Sequence, residues 1–132
     1  MVMGGFESVS DAGSGRGTGY IDGIVLPLKT ADREAFGAFA RSVAAPFLEH
    51  GALRVMDTIA DDVHPGKQTD FFRAILAESA EEPSFGFVEW PDKPTRDAGW
   101  AAIMADPRMQ GKDAPFDGRR MIFGGFTPLI DA

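Results

Sequence analysis

Ser84-Phe85-Gly86-Phe87-Val88-Glu89-Trp90 is apolar on both of its alternating faces. As a strand it sends Phe85 and Phe87 to one side and Val88 and Trp90 to the other. Met121-Ile122-Phe123-Gly124-Gly125-Phe126 has the same two-sided character. A strand of this kind wants cover above and below. The chain offers two long helical patterns, and two helices in a small α+β domain usually lie on one side of the sheet. The second side needs a lid from elsewhere, most economically from a second copy of the chain.

Working outward, residues 20–28 read as the first strand, with Pro27 at its end because proline cannot donate to a ladder. Thr30 is the expected cap of a helix whose apolar stripe is Phe36, Phe39, Ala40, Val43 and Phe47. Pro46 is expected to kink or shorten its last turn, and Gly51 to end it. Residues 52–60 alternate as a second strand, with Val55, Asp57 and Ile59 opposed to Arg54, Met56 and Thr58. A turn-rich loop spans 61–67, and Thr69 is the expected cap of a short helix or irregular excursion over 69–77. After the strand at 84–90, Pro91-Asp92-Lys93-Pro94 opens a second helix that Asp106-Pro107 ends. Residues 119–128 make the fourth strand, where Gly124-Gly125 suggests a bulge or close backbone approach.

The order is β-α-β-(excursion)-β-α-β, a ferredoxin-like α+β domain with a four-stranded antiparallel sheet. Right-handed crossovers put both helices on one face. The bare face would expose Phe85 or Trp90, Phe123 or Phe126, and Leu53 or Met56, more apolar surface than a soluble monomer normally shows. The expected partner is therefore a second copy, a homodimer through the sheet face. Residues 1–19, rich in Gly and Ser, read as a flexible extension preceding a domain at 20–132. Gly13-Ser14-Gly15-Arg16-Gly17 lacks the preceding strand and following helix of a phosphate-cradling loop.

Composition narrows the classes. At 132 residues the chain suits one domain. Thirteen Lys+Arg against 20 Asp+Glu leave a net charge of −7, the wrong sign for nucleic acid. The sequence has no cysteine, which removes disulfides, thiolate metal sites and a cysteine nucleophile. No run is apolar enough to suggest a membrane span, and no leader pattern opens the chain. A soluble, cytoplasmic protein is the expectation.

Several segments together resemble the YbaA-like family, domain of unknown function 1428. They include Tyr20-Ile21-Asp22-Gly23, Glu49-His50-Gly51-Ala52-Leu53-Arg54-Val55, Thr69-Asp70-Phe71, Glu89-Trp90-Pro91, Arg96-Asp97-Ala98, Asp106-Pro107-Arg108-Met109 and 115–126. The resemblance runs from about Tyr20 to Asp131 and implies the dimeric α/β-barrel class. Relatives usually begin near the position of Tyr20, and Trp100 stands where a polar residue is expected. The resemblance carries no catalytic residue.

Asp22, Asp57 and Glu89 each interrupt an apolar strand, where a carboxylate is costly unless paired or placed in a wet pocket. Ion pairing, with Arg54 or Arg120 as partner, is the plainer explanation. The functional one is a pocket between sheet and helices lined by Tyr20, Asp22, Arg54, Glu89, Trp90 and Arg120, with a carboxylate as base and an arginine holding an anionic oxygen. His50 reads as a helix-end cap, and His64 beside Asp61 and Asp62 as part of a turn. No cofactor or metal is implied. Two functions follow as expectations: binding of a small, partly apolar molecule, or cofactor-independent monooxygenase- or isomerase-like chemistry on an aromatic or enolisable substrate. Whether the protein is an enzyme stays open on the sequence.

Overall fold

The computed structural model describes residues 1–130. One antiparallel sheet contains five strands: β1 (Gly4–Gly13), β2 (Tyr20–Lys29), β3 (Arg54–Val63), β4 (Glu81–Trp90) and β5 (Ile122–Phe126). Their spatial order is β1-β3-β4-β2-β5. Helices α1 (Arg33–Glu49) and α3 (Lys93–Ala105) are long, and α2 (Phe71–Ala74) is a single turn between β3 and β4. The class is α+β, compatible with the ferredoxin-like pattern once β1 is set aside.

Strand alternation sorts the sheet into two faces. Register pairs Asp22 with Val88, Ile24 with Gly86 and Phe123, and Val55 with Val88. Asp22, Ile24, Leu26, Val55, Asp57, Ile59, Val88 and Trp90 therefore share one side. The α1 stripe of Phe36, Ala40, Val43 and Phe47 is buried against that side, and Ile103 of α3 joins the same core. Trp90, 0% exposed, belongs to one cluster and Phe36 to the other. Each such side chain contributes about 1.5–3 kcal/mol on burial. Both long helices thus cover one face.

The opposite face carries Phe6, Ile21, Phe85, Phe87, Glu89 and Phe126. Among the patch candidates Phe85, Met56 and Phe126 lie there, whereas Trp90 and Phe123 are on the helix side. Phe126 is 61% exposed.

The strand count departs from four because Gly4–Gly13 is not a loose tail. It pairs with β3 from Gly4↔Val63 to Gly13↔Arg54. Phe6 packs edge-on to Phe71 at 5.2 Å and lies 5.8 Å from Phe85. Val9 packs on the cluster of Leu26, Leu28, Phe36 and Ile59. Register shifts at Gly5/Phe6 and Ser8/Ser10 break the alternation, so no period of two is readable in the sequence. Pairing with β1 also carries β3 on through Asp61 and Asp62 to Val63, residues expected in a loop. The loop before β2 does follow a strand, although no helix opens after it.

Smaller differences have local causes. Thr30 does not cap α1; it begins a 3-10 turn and its hydroxyl donates to Glu82 Oε1 at 3.2 Å. Asp70, not Thr69, caps α2, its Oδ1 accepting from Arg73 N at 2.7 Å. Pro46 lies buried within the last turn of α1, which continues to Glu49. Gly51, at φ +110°, then turns the chain toward β3. Arg119 and Arg120 belong to a second 3-10 turn (Gly118–Arg120), so β5 is shorter than expected and its register runs unbroken through Gly124 and Gly125.

Candidate functional site

Asp22 and Asp57 both point to the helix side of the sheet, and their surroundings differ completely. Asp22 is 0% exposed. Its Oδ2 accepts from Trp90 Nε1 at 2.9 Å and from Trp100 Nε1 at 2.8 Å. Its Oδ1 accepts from Arg96 Nη2 at 2.7 Å and Nε at 3.0 Å. The guanidinium also lies 5.4 Å from the centre of the Tyr20 ring. Such a charge is tolerable indoors because every lone pair facing the protein is met.

Arg96 and Trp100 come from one turn of α3 at i and i+4 spacing, so they share a helix face. Asp92 fixes the start of that helix, accepting from Thr95 N at 2.7 Å. Trp100 also packs edge-on against Phe47 of α1 at 5.1 Å. The indole is thereby held on both its polar and apolar edges.

That indole is a wall between two spaces. A cleft of about 450 Å³ is lined by Ile24, Arg96, Asp97, Trp100, Met104, Met121 and Phe123. A more enclosed cavity of about 180 Å³ lies between sheet and α1, among Ile24, Leu26, Phe39, Ala40, Val43, Val55, Asp57, Trp100 and Met121. The two share Ile24, Trp100 and Met121. Phe116, from the segment after α3, closes the cavity with its ring against Phe36 at 6.0 Å and Phe39 at 5.9 Å.

Asp57 is the one carboxylate in that cavity lining. It faces Gly86 across the β3–β4 pair, and a β-carbon there would come within 2.8 Å of its Oδ1. Gly86 is what lets the carboxyl lie against the sheet. Among the described residues no hydrogen bond or ion pair offsets the burial, which raises the Asp57 carboxyl to about pKa 6.

The pocket expected from sequence is not one place. Tyr20, Asp22 and Trp90 come together, completed by Arg96 and Trp100. Arg54 and Glu89 lie side by side on the opposite face. Arg54 forms a two-pronged pair with Asp11 at 2.8 and 2.9 Å and stacks 5.5 Å over Phe87. Glu89 keeps Oε2 buried with no partner among the described residues. Arg120 stands apart in its 3-10 turn, clamped by Glu81 at 2.6 and 2.7 Å and by Asp117 at 3.0 Å. Arg120 and then Arg119 hold the Asp117 carboxyl down to about 2. His50 ends α1 and meets Asp106 at 2.9 Å, while His64 pairs with Asp62 at 2.7 Å on the surface.

The chain belongs to the family described as "Protein of unknown function (DUF1428)", whose model matches residues 19–118. It is similar to "Uncharacterized protein YbaA" of Escherichia coli strain K12, with 45% identity over 114 residues, 85% of this chain and 97% of that protein. A Shigella flexneri protein of the same description matches at the same identity and coverage. No helix among the described residues is long and apolar enough to cross a membrane.

Proposed function

We propose that the protein binds a small, largely apolar molecule between its sheet and its helices, and that two copies join through the open sheet face. The observation that carries the binding reading is the apolar cavity of about 180 Å³ adjoining a cleft of about 450 Å³. Well-packed interiors leave few voids of that size, and apolar lining with a few polar groups is what ligand sites share. Toluene serves as the probe: a native-state ligand raises the melting temperature. A saturable rise with toluene is expected for the wild type and none for Ala40→Leu, whose added carbons occupy the space beside α1. Equal shifts in both proteins would remove the cavity from the account.

Support for the dimer comes from the uncovered aromatic face. Ile21, Phe85, Phe87, Phe126 and Pro128 line a groove of about 370 Å³ there. A two-fold partner would cover it. Light scattering at micromolar concentration is expected to give twice the chain mass for the wild type and a single-chain mass for Phe126→Glu. Single chains for both would leave the face without its proposed occupant.

A second reading, cofactor-independent chemistry on an enolisable substrate, is favoured by Asp57. A carboxylate titrating near 6 beside an apolar cavity has the properties a general base needs.

A further inference from the structure

We infer that Asp57 recognises a hydrogen-bond donor on the ligand, so that the cavity takes a single aromatic ring bearing a hydroxyl in preference to the bare hydrocarbon. The inference rests on the binding reading above and adds the chemical class.

Asp22 and Asp57 provide an internal comparison. Both interrupt apolar strands and both face the helices. Around Asp22 the fold supplies two indole N–H groups and an arginine. Around Asp57 it supplies no donor among the described residues, and burial alone acts on the carboxyl. Asp57 is partly buried, and as the one carboxylate in an apolar lining it is the group there placed to accept a hydrogen bond from a ligand. The Trp100 N–H cannot turn to it, being committed to Asp22. The remaining side chains of the cavity are hydrocarbon, aromatic or thioether groups. Such a lining fixes the shape of a ligand and leaves its polar end to Asp57.

Size and access agree with one ring. An apolar cavity of about 150 Å³ is known to accommodate benzene, and this one is about 180 Å³. Ile24, Trp100 and Met121 border both the cavity and the outer cleft, so a ligand enters past the indole. Ile24, Gly86 and Asp57 are in register on three neighbouring strands. The backbones of Ile24 and Asp57 are therefore separated by two strand spacings, roughly 10 Å. That span accepts an aromatic ring with its hydroxyl directed at β3.

The test compares p-cresol with p-xylene, which differ by hydroxyl against methyl at nearly constant shape, by calorimetric titration at pH 7.5. The wild type is expected to bind p-cresol roughly tenfold to hundredfold more tightly, the range for a hydrogen bond to a charged group. In Asp57→Leu the preference is expected to vanish or reverse. Equal affinity of the wild type for both probes, or tighter xylene binding, overturns the inference while leaving the binding reading intact. Binding of neither probe overturns both. The wild-type comparison needs no variant to fold.

Discussion

Replacing Asp22 with asparagine is expected to lower stability by about 3–5 kcal/mol, the scale for breaking a buried pair while leaving one charge behind. The carboxylate meets Trp90, Trp100 and Arg96 at once. Asparagine has nearly the same shape but only one acceptor oxygen, and its NH2 group must then face an N–H donor. The Arg96 guanidinium, its side chain only 19% exposed, loses its buried carboxylate partner and keeps only the exposed Asp97 at 3.0 Å. Urea unfolding measures the loss, as a midpoint shifted down by roughly 1–3 M. Because the chain has two tryptophans and both donate to Asp22, their fluorescence should change in the folded variant as well. A loss below about 1 kcal/mol would mean that the network is not what holds α3 to the sheet.

The opposite sign is expected at Asp57. Its carboxyl is raised from 3.8 to about 6 on folding, so the folded state binds the proton more tightly than the unfolded chain. The stability linked to that proton is fully present below the unfolded value and is lost as pH rises through the folded one. At pH 7.5 the wild type carries the whole penalty, about 2–3 kcal/mol at 1.36 kcal/mol per unit. Asparagine does not titrate. Asp57→Asn is therefore expected to be more stable than wild type at pH 7.5, by an amount about 2 kcal/mol smaller at pH 4. Denaturant melts at both values give this double difference. A difference independent of pH would mean that Asp57 is better solvated than its position between β3 and α1 implies.

The two variants mark what the sequence could and could not disclose. The two-sided strand at 84–90, the α1 stripe and the proline-opened α3 are legible because alternation and helical spacing are local properties. Asp22 and Asp57 stand out as carboxylates among apolar neighbours, so their cost was readable. Their environments were not. Arg96 and Trp100 lie more than seventy positions from Asp22 and are brought to it only by packing of α3. Glu89 and Trp90 are adjacent on a strand and face opposite sides, so the pleat excludes a single cleft lined by both. The same rule separates Arg54 from Val55 and puts it beside Glu89. The strand at Gly4–Gly13 was hidden by its glycines and by its two register shifts. Its pairing is a property of the open edge of β3 rather than of its own pattern.

Where an apolar probe sits tests the central claim most directly. Toluene titrated into isotope-labelled protein, followed by NMR, should shift Ala40, Val43, Val55 and Val88, which surround the space between sheet and α1. Saturable shifts confined instead to Ile21, Phe85 and Phe126 on the far side of the sheet, or no saturable shifts at all, would contradict it.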